Sequence, residues 1–198
     1  FIYGNYEQFK ELYKKEKFGI VKMEVCRSTK PDVKYLKKIR SFCNKNKIVL
    51  IFDECTTGFR ECLGGLHKLI NVNPDIVVLA GWMHILSSRF IDNFRHIINL
   101  HPALSNTFKG ANAIEDAFTA YHSGKIKYSG VMVHRVIPKI DSGPVISEMI
   151  VPMSPTDTLE VFTENIKAHE KACLISAITT LVGEHNKFIV SSKKSFII

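Results

Sequence analysis

Three short aliphatic runs limit what this chain can fold into. They read KIVLIFDE (47–54), PDIVVLAGW (74–82) and HIINLHP (96–102). None alternates apolar with polar residues. A continuous apolar run of that length suits a strand buried on both faces, as strands of parallel sheets are. Around them lie segments with helical spacing. Tyr6, Phe9, Leu12 and Tyr13 give residues 6–17 one apolar face. Positions 33, 36, 39 and 42–43 do the same for residues 31–46, behind Pro31 in the first turn. FGIVKMEV (18–25) is short and β-branched, so it predicts a strand. Strand, helix, strand predicts a parallel βαβ unit.

The remainder continues the pattern. Residues 56–68, TTGFRECLGGLHK, are punctuated by glycine and predict a loop. Residues 83–95 predict a short helix with the only Trp at its mouth, and 111–124 a helix stopped by Gly124. YSGVMVHRVI (128–137) and VISEMIVPM (145–153) predict strands around the turn PKIDSGP. Residues 156–184 predict a long helix capped by Thr156 or Asp157. The tail HNKFIVSSKKSFII has no strong pattern. The expected class is α/β, with a mostly parallel sheet and flanking helices. In such sheets ligands lie beyond the carboxyl ends of the strands, which puts Gly81–Trp82, Asn99 and His101 at one rim.

Composition narrows the partners. The chain has 198 residues, 45% of them hydrophobic, enough for one medium domain or one and a half. The net charge is +8, but the lysines are scattered and no basic run alternates with aromatics. The expectation is a solvated basic surface that tolerates phosphorylated small molecules, with no nucleic-acid partner. No apolar run approaches the roughly 18 residues of a membrane helix, so no membrane partner is expected. No signal-peptide pattern opens the chain, and its first residue, Phe1, reads as a fragment or processed end. Five cysteines without a CxxC pair predict buried thiols in a reducing cytoplasm and no metal site. Oligomeric state is not legible.

The chemistry concentrates in HIINLHPALSNTFKG (96–110). An amide at a strand end, Asn99, can donate to a developing oxyanion. An imidazole two residues on, His101, can exchange a proton near neutral pH. Asp141, in KIDSGP, supplies a carboxylate in a turn. Asn, His and Asp together suit acyl-type transfer, and with no GxSxG motif the substrate's own amine is the expected nucleophile. A histidine before proline also suits a plain turn, as does aspartate before Ser-Gly.

The stretches PDIVVLAGWMHILSSRFI, IINLHPAL, KGANAIEDAF and GVMVHRVIPKIDSGPVI closely resemble the phosphoribosylglycinamide formyltransferases, or glycinamide ribonucleotide transformylases, over about residues 74–182. The resemblance implies a Rossmann-like catalytic half and formyl transfer from 10-formyltetrahydrofolate to the amine of glycinamide ribonucleotide, in purine biosynthesis. It implies that Asn99 polarises the formyl oxygen, that His101 acts as imidazolium, and that Asp141 holds His101 and a water. It places the folate against Met83, His84, Ile85 and Leu86 and against Val136, Ile137, Pro138, Lys139 and Ile140. Glu170 would meet the ribose hydroxyls. His134 matches a family histidine, and a packed strand histidine is an equal reading. His84 stands where some relatives carry arginine, and Ser105 where proline is common.

That family opens with a strand and a Gly/Ser/Asn loop for the substrate phosphate, which is not found before residue 74; weakened substrate capture is the expectation. Residues 1–76, through LIFDECTTGFR, instead resemble a fragment of a class III pyridoxal-phosphate aminotransferase of the glutamate-1-semialdehyde aminomutase kind. There Asp53 would pair with the pyridinium nitrogen. No lysine occurs between Lys68 and Lys109 to form the Schiff base, so pyridoxal-phosphate catalysis is not expected. The expected organisation is a chimera: an aminotransferase-like βαβ fragment at 1–75, a formyltransferase catalytic half at 76–184 and a tail at 185–198. Rival readings are a formyltransferase for another amine, a non-catalytic hybrid remnant and a pyridoxal-phosphate protein.

Overall fold

The computed structural model describes residues 2–26, 32–55, 57, 65–71, 74–188 and 195–197. Most of the glycine-punctuated segment 56–68, including Gly58 and Gly64, lies outside the described residues, as do Pro31 and the tail's Lys193 and Lys194. The chain forms two compact units, residues 1–77 with 191–198, and residues 78–190.

The first unit begins with helix α1 (Tyr6–Glu16) and strand β1 (Ile20–Glu24), then helix α2 (Val33–Lys45) and strand β2 (Val49–Asp53). Asn5 caps α1 by accepting from Gln8 N, and Asp32 caps α2 by accepting from Lys34 N and Tyr35 N. β1 and β2 pair in parallel, Ile20 opposite Val49 through Glu24 opposite Asp53, as the βαβ pattern predicts. The apolar faces of both helices meet the strands in a core that includes Phe9, Tyr35, Leu36, Ile39, Leu50 and Phe52. Phe42 seals the helix side, 5.3 Å from Phe9 and 5.1 Å from Tyr13, ring to ring and edge on.

The tail departs from expectation. Residues 195–197 form a short strand, β7, parallel to β2 on one side and to Ile76 and Val77, the opening of β3 (Ile76–Ala80), on the other. Strand 47–52 therefore does not pair with residues 76–77 directly. Three residues are too few to carry an apolar periodicity, and the partners of this strand are distant in sequence.

The second unit holds the rest of β3, helix α3 (Ser88–Ile91), β4 (Ile97–His101), helix α4 (Ala113–His122), β5 (Tyr128–Arg135), β6 (Val145–Pro152) and helix α5 (Leu159–Phe188). The helix expected over 83–95 shortens to α3, capped by Ser87; residues before it have no helical bonding. β4 and β5 are antiparallel, as are β5 and β6, in contrast to the parallel β1–β2 pair of the first unit. Phe162, Ile166, Cys173, Ala177 and Leu181 recur at helical spacing along α5 and are buried. Among the described residues no helix is long and apolar enough to cross a membrane.

A candidate active site at the end of β4

β4 carries the functional side chains because its apolar run ends in a polar pair. Ile97 and Ile98 are buried, and the strand then presents Asn99 and His101 just before Pro102 ends the ladder. Antiparallel pairing sets Asn99 opposite His134 and His101 opposite Met132. Residues of like parity share a face, so Asn99, His101 and His134 point the same way. A bulge between Val133 and His134 leads into the loop that carries Asp141.

Asp141 is the hub. One carboxylate oxygen lies 3.4 Å from Asn99 Nδ2 and 3.4 Å from His134 Nε2. The other accepts the Gly110 N–H at 2.9 Å and lies 3.6 Å from His101 Nδ1. His101 Nε2 donates to the Phe108 carbonyl at 2.7 Å, which commits that nitrogen's proton and turns Nδ1 to the carboxylate. His134 Nδ1 donates to its neighbour's carbonyl, Arg135 O, at 2.9 Å, leaving Nε2 to accept from Asn99 Nδ2 at 3.4 Å. The Asn99 amide thus faces two acceptors with its NH2 group, which settles its orientation. His101 and His134 are 4% and 3% exposed, so these contacts operate with little water.

The Asp141 loop is tightly constrained. Asp141 itself is left-handed, at φ 43°, a conformation that costs an ordinary residue about 1 kcal/mol or more. Two residues on, a Cβ on Gly143 would run into the Arg135 carbonyl, so only glycine fits. On the other side, Ser105 N donates to Glu148 of β6 and Lys109 Nζ donates to Ser142 Oγ at 2.7 Å.

These groups open onto a cavity of about 380 Å³, inside the range of small-molecule sites. Its walls include Met83, His84, Ile85 and Leu86 after β3, and Val136, Ile137, Pro138 and Ile140 after β5. Asn99, His101, His134, Asp141 and Glu170 bring polar groups to it. Met83 and Ile85 stay 69% and 72% exposed, so apolar surface lies open at the cavity. Glu170 reaches the cavity from α5, where burial raises its carboxyl pKa and Lys167 partly opposes the rise. Among the described residues no group of three or more His, Cys, Asp and Glu could hold a metal ion.

The predicted residues thus gather in one place, with two exceptions. Lys139 does not line the cavity, although its neighbours do. Asp53 belongs to the first unit, at the end of β2, with its carboxylate 2.9 Å from Lys22 Nζ and accepting from Cys55 N at 3.1 Å. Burial would raise the Asp53 pKa, and the bonds from Lys22 and Cys55 hold it below the ordinary carboxylate value instead. Sequence reasoning missed the Phe108 carbonyl and the Gly110 amide. Backbone groups leave no residue-type signal; the glycine at 110, at φ 86°, was the one available hint.

An amide, two imidazoles and a carboxylate thus converge on one cavity of a mixed α/β domain, an arrangement suited to acyl-type group transfer. The chain belongs to the formyl transferase family, whose profile matches residues 1–178. That match runs through residues 1–76 as well as the site. The phosphoribosylglycinamide formyltransferase of Dictyostelium discoideum is 45% identical over 113 residues, 54% of this chain and 55% of its own length. The protein of that name from Schizosaccharomyces pombe is 44% identical over 122 residues, 60% and 59% of the two chains. The chain therefore spans a little over half the length of the curated relatives it matches. The crystal structure of phosphoribosylglycinamide formyltransferase from Bacillus halodurans superposes with a TM-score of 0.53 at 26% identity, over 82% of this chain and 93% of that one.

Proposed function

We propose that the chain transfers a formyl group from 10-formyltetrahydrofolate to the amine of a phosphorylated acceptor, glycinamide ribonucleotide, as in purine biosynthesis. The observation that carries this reading is the convergence of Asn99, His101 and Asp141 on one apolar cavity. Bound there, the folate supplies an activated formyl group. The fit rests on the exposed Met83 and Ile85 and the apolar wall of Val136, Ile137, Pro138 and Ile140, which suit a pterin ring. Asn99 Nδ2 has only long bonds to release, and it swings to the formyl oxygen as that oxygen gains negative charge. His101 turns its Nε2–H from the Phe108 carbonyl to the same oxygen. Asp141 keeps the imidazole oriented and receives positive charge that builds on it. The acceptor nitrogen bonds to the formyl carbon, the bond from that carbon to the folate nitrogen breaks, and the proton lost by the amine passes through His101 and Asp141 to the folate nitrogen. Glu170 takes the ribose hydroxyls.

The test is release of tetrahydrofolate from 10-formyltetrahydrofolate, with and without glycinamide ribonucleotide, beside His101→Ala. Release that needs both the ribonucleotide and His101 is expected. Release with another amine but not this one would move the acceptor; folate binding without release would leave a non-catalytic hybrid.

The hybrid origin of residues 1–76 remains a second proposal, supported by LIFDECTTGFR alone. Asp53 is engaged by Lys22, so a pyridinium partner must displace that lysine. A pyridoxal-phosphate activity is a separate reading: a visible Schiff-base band on adding pyridoxal phosphate, lost on mutating a lysine, would support it, and a featureless spectrum rejects that activity without bearing on the origin of residues 1–76.

A further inference from the structure

We propose that Lys109 is a positioning residue for this reaction, acting through Ser142 to hold Asp141 against His101; the inference rests on the function proposed above. Three successive residues each hold a different part of the site. The Phe108 carbonyl takes the Nε2 proton of His101 at 2.7 Å, Lys109 Nζ donates to Ser142 Oγ at 2.7 Å, and the Gly110 N–H donates to Asp141 at 2.9 Å. Ser142 Oγ spends its own proton on the Ile140 carbonyl at 2.7 Å, so its lone pairs face the ammonium and the polarity of the clasp is defined.

Asp141 sits between Ile140 and Ser142, the two ends of that clasp, in a left-handed conformation it would not keep unaided. Gly143 blocks relaxation on one side by its contact with the Arg135 backbone. Lys109 closes the other side, tying the 105–110 loop to the 136–142 loop. The Lys109–Ser142 bond is exposed and adds little to global stability. Its effect falls on the separation of Asp141 from His101, where small displacements are costly in rate.

Lys109→Met keeps the stem and removes the donors, Ser142→Ala removes the same contact from the other side, and Lys109→Arg restores a donor. The first readout needs no turnover: hydrogen exchange of the Gly110 amide, which is protected through Asp141. It should quicken about 5-fold or more in Lys109→Met and Ser142→Ala, stay near wild type in Lys109→Arg, and leave the Tm within about 2 °C. The second is a kcat loss of about 10-fold with both KM values within about 2-fold, and a double variant no worse than either single one. Unchanged Gly110 exchange in both single variants overturns the proposal. So does an Arg variant as impaired as Met, or a rise in KM at constant kcat, which would make Lys109 a ligand contact. Should the wild type transfer no formyl group, the proposed function fails alone, and the exchange measurement still decides whether Lys109 holds the loop.

Discussion

Asn99 and His134 are register partners across the antiparallel β4–β5 pair, and their side chains meet at 3.4 Å, Nδ2 to Nε2. A strand pairing has become a contact at the candidate site, because cross-strand neighbours share a face and this face opens onto the cavity. Residues 35 positions apart are thereby held as firmly as the sheet itself.

His134→Phe keeps a ring of similar size and removes the acceptor for the Asn99 amide. The amide then bonds only Asp141, at 3.4 Å, and loses its set orientation. Steady-state kinetics should show a kcat loss of about 10- to 100-fold with the fold retained, a fall consistent with misdirecting one oxyanion donor. An unchanged kcat would make His134 a packing residue only.

Gly143→Ala should separate the Asp141 loop from β5. The added methyl meets the Arg135 carbonyl, and backbone cannot give way as a side-chain tip can. The expected result is a kcat/KM lower by about 100-fold, since Asp141 shifts by a fraction of an ångström or more. Its Tm should fall by a few degrees, as strained core-adjacent substitutions do.

Glu170→Gln tests a carboxyl whose pKa burial has raised. The raised value means the fold favours the neutral acid. Its stabilising share is complete below the ordinary carboxylate range and is lost as pH rises through the folded value. Wild type and Glu170→Gln should therefore melt alike near pH 4, with the variant gaining on wild type toward pH 7. Under the proposed role, the ribonucleotide KM should rise by about 10-fold or more, the worth of a hydrogen bond to a charged group.

Glu54→Gln probes the first unit. The Glu54 carboxylate is buried and accepts from Leu66 N at 2.7 Å, His67 N at 2.9 Å and Thr57 Oγ at 3.2 Å, with His67 Nδ1 at 2.8 Å. Burial would raise its pKa, but the His67 and Leu66 bonds hold it below the ordinary value. Its contribution is then present above the ordinary carboxylate pKa and lost as pH falls through the folded one. Urea unfolding at pH 7 should show a loss of about 1–3 kcal/mol in the variant, which turns an amide N–H2 toward a backbone donor. Near pH 3.5 the gap should narrow.

Much of this was legible in the chain. The aliphatic runs at 47–54, 74–82 and 96–102 became β2, β3 and β4, and the periodic faces of 6–17, 31–46 and 156–184 became α1, α2 and α5, because burial of a periodic face is a local property of the residues. Residues 83–95 were less legible. Their apolar positions include Met83 and Ile85, which line the cavity and stay exposed, so these residues form a cavity wall and not a buried helix face. The tail strand was not legible at all, since its partners are backbone groups of Leu50, Ile51, Phe52, Ile76 and Val77, far away in sequence.

By itself the sequence determined the α/β class, the strand end that carries Asn99 and His101, and the turn that carries Asp141, because period, proline and glycine act within a few residues. Only the tertiary structure decided that Asp141 lies against His101, His134 and Asn99 at once, that Phe108 supplies a carbonyl and Gly110 an amide, and that Lys139 stays off the cavity while its neighbours wall it. Those are relations between backbone groups and side chains brought together by strand register and a bulge, and register is a property of pairs of strands, which no single stretch of residues contains.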